Sequence, residues 1–548
     1  MAKTGPIIVL DPGKERTKGN DALFMNINAA KAVAGLVQST FGPKGMDKML
    51  IDKMGHVSMT NDGAIILKDI GIEHPTAKMI VEVARSMEST AGDGTTGSVI
   101  FSAALLDKAE KLVKKGIHPS AIVKGYRIAE AKALELLDRS VIDVSKENRA
   151  DILKKVAMTS ITGKAPDVHK ELLAELCVKA AEIVEEDGFV DVRTKIIRVV
   201  ELQRRVEESE VIEGIALNTG VLSHAPKRIE NPKIALLDTE IIANKTKTGA
   251  IMVVSSPEER QKIIDNERND LTAIAKIIVD AGATAVFSTK VVRGPVLEYF
   301  EKHNVFVSRP MEEKDIENVS YATGAKIVRN PKEFTESDLG GADLLERDTK
   351  NGGGKTFIRG GHNSTVATLV VRGETLQHAD SVDTALDDAL WVIKSVIEDG
   401  KIVAGGGASE MAVALGLSAC APKAGGYDQR VIAAYADALE ELPKTLIRNG
   451  GLDVIDLSLA LRAEQTKNKN AGVDVFAGKV TDMLESGIVD PYRVKANTIK
   501  AATEAAIMIL RIDDMLRATI TRDIPDAPPS HMAASYNGMA PPTMNERR

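Results

Sequence analysis

Apolar residues recur with a helical period towards both ends of the chain. Residues 20–137 are rich in alanine. Within Thr76–Met87, four apolar residues share one helix face: Met79, Ile80, Val83 and Met87. The helical pattern returns over residues 408–514 and ends in the apolar segment Ile499–Leu510. We therefore predict that both ends of the chain are mainly helical.

Short apolar segments bounded by glycine, proline or asparagine occupy the centre of the chain. They alternate with helical patterns such as Pro257–Asp280 and lie at residues 234–238, 251–254, 285–288, 305–307 and 325–328. Alternating strands and helices are typical of an α/β domain. The sequence thus predicts a helical domain made from both chain ends, with an α/β domain inserted between them.

Turn residues punctuate the first helical part. Phe41–Gly45 forms a predicted rigid turn after an amphipathic helix at Ala29–Ser39. Thr60–Gly63 contains Asn-Asp-Gly, which predicts a hairpin turn between strands at 57–59 and 64–67. The tail from Ile524 onward holds five prolines, and we expect it to be disordered.

Composition and charge exclude several classes of function. The 548 residues suffice for about three or four folding units. Lys and Arg number 71 against 78 Asp and Glu, a net charge of -7, which disfavours nucleic acid as the main partner. Two distant cysteines and scattered histidines form no disulfide framework or zinc motif. No apolar segment approaches the roughly 20 residues of a membrane span, so we expect a cytoplasmic protein without membrane partners.

The segment Ala91–Ser98 is the sharpest candidate for phosphate binding. Gly92 and Gly94 would let an anion approach the backbone closely. Thr95 and Thr96 would lie at the start of a following amphipathic helix, whose unpaired N–H groups attract phosphate. Asp93 beside them is a natural Mg²⁺ ligand, because this ion commonly takes one or two carboxylates together with phosphate oxygens.

Other interpretations of the glycines are weaker. Gly92, Gly94 and Gly97 match a dinucleotide-binding pattern, but that pattern requires a preceding strand, and here a helix is predicted. Gly352–Thr356 ends like a P-loop, but Thr349 stands where its first glycine is required. A flexible loop between helices remains an alternative for the segment Ala91–Ser98.

Five segments in order change this picture. They are Phe41–Leu50, Thr60–Ala64, Gly92–Thr96, Val403–Ala408 and Ala501–Asp514. Together they resemble the successive signatures of group II chaperonins, the archaeal thermosomes and their relatives in the eukaryotic cytosol. The resemblance covers about residues 20–520 and is strongest at both ends of the chain.

The resemblance implies a multidomain α and α/β fold. The equatorial domain would comprise residues 1–145 and 405–523, and the intermediate domain residues 146–215 and 370–404. Residues 216–369 would form the α/β apical domain, with a helical protrusion near 245–269 that acts as a lid. Residues 524–548 would be the disordered tail. Such subunits form a double ring, usually eight per ring, which encloses and refolds unfolded client proteins at the expense of ATP.

The resemblance also implies roles for particular residues. The implied nucleotide-binding residues are Gly42, Pro43, Asp93, Gly94, Thr95, Thr96, Lys164, Gly406, Gly407 and Asp490. Asp93 would bind Mg²⁺, Asp490 would hydrogen-bond the ribose, and Lys164 would sense the terminal phosphate. Asp62 and Asp380 would be the catalytic carboxylates that position the attacking water.

The sequence departs from the family pattern at two of these places. Gly97 stands where a third threonine is frequent, and Ser381 replaces an acidic neighbour of Asp380. Asp383 lies close by and could be mistaken for the catalytic residue, but the register set by Ala385–Leu390 favours Asp380. The alternatives are a divergent structural or regulatory ring subunit with weak or absent ATPase activity, and a stand-alone metabolic ATPase.

Overall fold

A computed structural model describes residues 16–516, apart from 52–54, 56, 145–147, 165–168, 203, 218, 220–221, 223–225, 242–255, 293, 349–354 and 364. The predicted tail at 524–548, the strand at 251–254 and part of the predicted protrusion lie outside the described residues.

Sixteen helices are found in the described part of the chain. Those of the first half are α1 (Gly19–Val37), α2 (Gly63–Asp69), α3 (Pro75–Ala91), α4 (Thr95–Lys114), α5 (Pro119–Asp138), α6 (Arg149–Ile161), α7 (Lys170–Val184) and α8 (Pro257–Asp280). Those of the second half are α9 (Gly294–Lys302), α10 (Glu313–Thr323), α11 (Leu376–Asp399), α12 (Ala408–Ala424), α13 (Gly426–Leu439), α14 (Glu441–Asn449), α15 (Val454–Gln465) and α16 (Tyr492–Leu510).

The strands of the described residues are short. The first ten are β1 (Arg16–Lys18), β2 (Lys48–Ile51), β3 (Val57–Thr60), β4 (Ile142–Asp143), β5 (Ile196–Leu202), β6 (Glu210–Glu213), β7 (Ile215–Leu217), β8 (Arg228–Glu230), β9 (Lys233–Leu237) and β10 (Ala285–Ser288). The others are β11 (Phe306–Val307), β12 (Ile327–Val328), β13 (Gly340–Asp348), β14 (Lys355–Gly361), β15 (Ala367–Gly373), β16 (Lys401–Ala404), β17 (Ala471–Asp474), β18 (Lys479–Asp482), β19 (Val489–Pro491) and β20 (Asp514–Leu516).

Helices from distant parts of the sequence share one apolar core. Helix α16 packs against α3, α4 and α5, while α13 packs against α4, α5 and α12. The ring of Tyr435 makes edge contacts at 5.5 Å with Phe101 and with Tyr126. The Tyr126 hydroxyl donates to the carbonyl of Leu105 at 2.7 Å, which satisfies its polar atom in the core.

An eight-stranded mixed sheet forms the centre of the chain. Its order is β11-β10-β9-β13-β14-β7, with β12 beside β9 and β8 beside β13. The side chains of β10 alternate between two apolar clusters. Phe287 packs with Ile316 of α10 on one face, and Val286 packs with Phe300 of α9 on the other. Strand β10 and most of β9 are thus buried on both faces, as their continuous apolar sequences require.

The long helix α11 connects strand β15 to strand β16, and so leads from the central strands back to the helical part of the chain. It packs against α6, α7 and the three-stranded sheet β5-β15-β6. It ends at the left-handed Gly400, where β16 begins. Strand β16 then pairs with β19 and β4, so the chain after α11 enters a second small sheet.

Strands β1 and β20 form an antiparallel ribbon of their own, in which Thr17 is the partner of Met515. Among the described residues, no helix is long and apolar enough to cross a membrane.

The structure confirms most of the predicted elements and corrects one. The helices predicted around Thr76–Met87 and at Pro257–Asp280 are α3 and α8, and four of the five central strands are present. The hairpin predicted around Thr60–Gly63 is wrong. The hairpin is formed by β2 and β3 instead, and residues 64–67 belong to α2. The division into equatorial, intermediate and apical domains stays a prediction.

Candidate functional site

The turn between α3 and α4 has a backbone shaped by two glycines. Gly92 ends α3 with a φ of 70°, and Gly94 begins α4 with a φ of 85° and no side-chain cap. Such left-handed conformations favour glycine. A Cβ atom on Gly94 would lie 2.9 Å from the Cγ1 atom of Val494, so space excludes a side chain as well. The first N–H groups of α4 therefore receive no hydrogen bond from a side chain at the N-cap position.

Asp93 lies within this turn and is held by three donors. Its Oδ1 atom accepts from the Gly94 N–H at 2.7 Å and from Lys164 Nζ at 3.2 Å. Its Oδ2 atom accepts from the Ser160 hydroxyl at 3.4 Å. Burial by itself would raise the pKa of Asp93, but Lys164 and the Gly94 N–H outweigh it and lower this pKa. Asp93 is thus an oriented carboxylate beside a helix N-terminus.

Lys164 lies just after α6 and joins two carboxylates. Its Nζ atom is 2.8 Å from Asp388 Oδ2 on α11 and 3.2 Å from Asp93 Oδ1. Burial would lower the pKa of Lys164, but Asp388 and Asp93 reverse the shift and raise it. Burial raises the pKa of Asp388 to about 8; Lys164 opposes this shift, whereas Asp93 and Asp62 add to it.

Asp62 approaches the same cluster from α2. It is the N-cap of this helix, and its Oδ1 atom accepts from the Ala64 N–H at 2.9 Å. A Cβ atom on the next residue, Gly63, would lie 2.4 Å from the hydroxyl of Thr96, so the start of α2 adjoins the start of α4. Burial raises the pKa of Asp62, Lys164 opposes this shift, and Asp93 adds to it.

Asp380 does not join this group of side chains. It is exposed in the first turns of α11, eight residues before Asp388. Eight helical residues correspond to about 12 Å along the axis. Asp383, the competing candidate, pairs with Arg198 at 3.1 Å. The structure therefore brings Asp388, and not Asp380, into the cluster, and the catalytic role of Asp380 stays a prediction.

Ser381, near the start of α11, contacts the backbone of Lys164. Its hydroxyl donates to the backbone carbonyl of Lys164 at 2.9 Å. Ser381 is thus a contact of the lysine segment. At Gly97 there is space for a Cβ atom, because such an atom would lie 3.5 Å from Phe41 Cε2, an ordinary contact distance.

The loop with Gly42 and Pro43 lies against the lysine segment. Gly42 has a φ of 89°, and a Cβ atom on it would lie 2.4 Å from Leu446. A Cβ atom on Gly163 would lie 3.0 Å from the Cα atom of Pro43. Asn61 also donates to the carbonyl of Gly163. Gly42, Pro43 and Asn61 therefore lie around Gly163, the residue that precedes Lys164.

The glycines before α12 adjoin a second group of charges. Gly406 and Gly407 have φ values of 59° and 77°. A Cβ atom on Gly405 would lie 3.2 Å from Asp490 Oδ2, which places the carboxylate of β19 against this turn. Lys495 on α16 lies 2.8 Å from that same Oδ2 atom.

Glu410 completes this second group. Its Oε1 atom lies 2.7 Å from Lys495 Nζ. Burial would raise the pKa of Glu410, but Lys495 outweighs it and lowers this pKa. The effect of Lys495 reaches Asp93 as well, whose pKa it also lowers. The two groups of charges therefore influence each other electrostatically.

Sequence reasoning missed three charged residues of the site: Asp388, Glu410 and Lys495. Asp388 lies in the pair Asp387-Asp388, and the adjacent carboxylates gave no local signal of which one faces the cluster. Asp387 turns towards Arg198, with which it pairs. Glu410 follows the triple glycine by three residues, and this position after a glycine turn was the available signal.

Comparison with known proteins identifies the family to which the chain belongs. A model of the TCP-1/cpn60 chaperonin family matches residues 33–519. The chain therefore belongs to this family, and it is a chaperonin subunit. The predicted mixed α and α/β fold class is confirmed by this membership.

Its similarity to individual relatives indicates the group II, thermosome-like type. The chain is 42% identical over 519 residues to a protein named thermosome subunit from Pyrococcus horikoshii, with 94% of each chain covered. It is 43% identical over 518 residues to a thermosome subunit beta from Archaeoglobus fulgidus, covering 94% of this chain and 95% of that one. A thermosome subunit beta from Methanothermobacter thermautotrophicus is 42% identical over 516 residues, with 94% and 95% covered. The predicted resemblance is thus confirmed.

Proposed function

We propose that this subunit hydrolyses ATP with Mg²⁺ at the cluster described above and uses the cycle to fold client proteins. The observation that carries the proposal is Lys164, held 3.2 Å from Asp93 and 2.8 Å from Asp388. One ammonium thereby joins the turn before α4 to the helix α11. Phosphoryl transfer is catalysed mainly by positioning and by neutralising charge, and this arrangement offers both.

The residues fit a phosphate and its metal ion. The uncapped start of α4 at Gly94 provides N–H groups for an anion, and Thr95 and Thr96 add hydroxyls. The lowered pKa of Asp93 keeps it charged, as a Mg²⁺ ligand must be. Bound Mg²⁺ would neutralise charge on the phosphates. Lys164 would then exchange part of its carboxylate contacts for the terminal phosphate.

We assign the positioning of the attacking water to Asp62 and Asp388. Both are carboxylates whose pKa is raised by burial, which makes each a better proton acceptor than an exposed aspartate. Asp62 is held in place because it caps the N-terminus of α2, whereas Asp388 is part of α11. A movement of α11 relative to α2 would therefore assemble or separate the pair.

The nucleoside would lie between the glycine turns. Gly406 and Gly407 would pack against it, Gly42 and Pro43 would cover it, and Asp490 would accept from a ribose hydroxyl. Lys495 engages one carboxylate oxygen of Asp490, which leaves the other oxygen to accept.

We further propose assembly into a double ring, with eight subunits per ring, that encloses unfolded or partly folded proteins. The names of the relatives, thermosome subunits, support such an assembly. Helix α8 supports a client-binding role for the predicted protrusion near 245–269, since its described first turns are exposed and carry Ile263 and Ile264, 36% and 47% exposed. Apolar surface of this kind suits unfolded chains.

Steady-state ATP turnover of two matched variants tests the proposal. Asp388→Ala is expected to bind ATP and to lose most turnover, whereas Asp380→Ala, on the same helix, is expected to keep it. Removal of Mg²⁺ is expected to abolish turnover in the wild type. Equal activity of the two variants would remove the assignment of Asp388, and a wild type without turnover would remove the ATPase function. The native mass by light scattering tests the double ring separately, since sixteen chains would be expected in one particle.

A further inference from the structure

Trp391 is the one tryptophan of the chain, and it lies against the turn before Asp93. A Cβ atom built on Gly92 would lie 2.0 Å from the Cβ atom and 2.3 Å from the Cγ atom of Trp391. The backbone of Gly92 therefore touches the base of the indole directly, with no room for a side chain between them. Gly92 also has a φ of 70°, which favours glycine independently of this contact.

The indole ring is held from several sides. The guanidinium of Arg193 is 5.2 Å from the ring centroid, and Lys394 Nζ is 5.0 Å from it. Both distances lie within the range of a cation–π interaction. The ring also packs on the apolar cluster that includes Met87 and Ala91, in the last turns of α3. These contacts restrict the ring to one place against the end of α3.

The contact links the backbones that carry the two carboxylates of the site. Trp391 follows Asp388 by three residues on α11, and residues three apart are neighbours on a helix surface. Gly92 directly precedes Asp93. The distance from α11 to the turn is thus limited by the contact of Gly92 with the Cβ, Cγ and Cδ1 atoms of Trp391, close to the point where Lys164 spans Asp388 and Asp93.

We propose that Trp391 is a positioning residue that sets the distance between Asp388 on α11 and the phosphate-binding turn. Trp391 contacts the reacting groups only through Gly92 and α11, so it acts on turnover rather than on nucleotide affinity. This inference rests on the proposed ATPase function. A shift of about 1 Å in such a relationship is enough to reduce a rate by roughly a hundredfold.

Turnover kinetics on the full chain test this role. Trp391→Ala removes the Cγ and Cδ1 atoms that lie against Gly92 and is expected to lower kcat about tenfold or more with little change in the KM for ATP. Trp391→Phe keeps an aromatic ring against Gly92 and is expected to recover most of the lost kcat. The control is Tyr427→Leu, which truncates an aromatic residue that is 62% exposed and outside the site. A raised KM with unchanged kcat, or wild-type kinetics for Trp391→Ala, would overturn the proposal.

Tryptophan emission gives a second readout, of the surroundings of the ring when nucleotide binds. Because the chain has one tryptophan, selective excitation reports on Trp391 alone. Addition of Mg-ATP to the wild type is expected to change its emission, and to do so in Asp388→Ala as well, since that variant still binds ATP. Unchanged emission in a wild type that turns over ATP would contradict the proposal. If Trp391→Ala fails to fold, Trp391→Phe and the emission of the wild type decide.

Failure of the proposed ATPase function can be distinguished from failure of the inference about Trp391. A wild type that hydrolyses no ATP removes the proposed function and this inference together, before any variant is compared. An active wild type whose kcat is indifferent to Trp391 removes the inference alone.

Discussion

The ammonium of Lys164 lies 2.8 Å from the carboxylate of Asp388, a residue 224 positions later in the sequence. Lys164 also serves Asp93, and Asp62 lies close enough to raise the pKa of Asp388. Two carboxylates thus contact one cation, and a third, Asp62, interacts with it electrostatically. A cluster with excess negative charge is unfavourable when buried, unless further positive charge or protons enter it. The proposed Mg²⁺ would supply such positive charge.

Replacing Lys164 tests the electrostatic role of this lysine. Lys164→Met leaves Asp93 and Asp388 without their shared partner, so we expect turnover to fall to a small fraction of the wild type. The loss of a partly buried pair is also expected to lower stability by about 3 kcal/mol. Turnover and the midpoint of chemical denaturation measure the two effects. Lys179→Met, which removes an exposed lysine on α7, should change neither.

The pH dependence of kcat/KM follows from the raised pKa of Asp388. This quantity reports groups of the nucleotide-free protein, and the pKa of Asp388 is raised to about 8. Asp388 can take up a proton from water only as a carboxylate. We therefore expect kcat/KM to rise with pH up to about 8 and then to level off.

Variants on α11 separate this titration from others. Asp388→Asn should have little activity and no rising limb, whereas Asp380→Asn should keep the wild-type profile. A rising limb that survives in the residual activity of Asp388→Asn would assign the titration to another group, such as Asp62.

Gly94 and Gly97 should respond to substitution in opposite ways. Gly94 has a φ of 85° and would place a Cβ atom 2.9 Å from Val494, so Gly94→Ala should lose stability by about 1–2 kcal/mol or more and weaken ATP binding. Gly97 lies inside α4 with 3.5 Å of room towards Phe41. Gly97→Thr should fold with equal or slightly higher stability, because glycine is a poor helix former, and should keep its turnover. Thermal melting and ATP turnover compare the two variants, and an inactive Gly97→Thr would contradict the expectation.

Local signals in the sequence were enough to predict some parts of the site. The glycines around Asp93 and the threonines after them announce a helix start that can hold an anion, and the structure has α4 begin at Thr95. The periodic apolar residues of α3 and α8 identified those helices for the same reason, since burial of one face needs that period.

The sequence was ambiguous where two structures use the same residues. Asn-Asp-Gly suits a hairpin turn, but Asp62 is equally a good N-cap, and the burial of Ile66 and Leu67 favours the helix. On α11, Asp380 and Asp388 differ by only about 80° around the axis but by about 12 Å along it. Periodicity alone cannot resolve that distance, which depends on where α11 meets Lys164.

Lys495 offers a final test, on the nucleoside side of the site. It lies 2.7 Å from Glu410 and 2.8 Å from Asp490, and the three side chains are only 18%, 10% and 23% exposed, respectively. Lys495→Met leaves two buried carboxylates without a cation, which is expected to cost about 3–5 kcal/mol. Asp490 also loses the contact that orients it, so the KM for ATP should rise more than kcat falls.

The pH dependence of this loss has a definite sign. The folded-state pKa of Glu410 is lowered from the value of 4.5, mainly because Lys495 outweighs the effect of burial. A carboxyl group whose pKa is lowered by folding stabilises the folded state above its unfolded-state pKa, here about 4.5. This contribution is lost as the pH falls through the folded-state pKa. The difference in denaturation midpoint between wild type and Lys495→Met should therefore be largest at neutral pH and shrink below about 4.5. Lys500→Met, which removes an exposed lysine from the same helix, should show neither effect. An equal response of the two variants would mean that Lys495 is not the residue that orients Asp490.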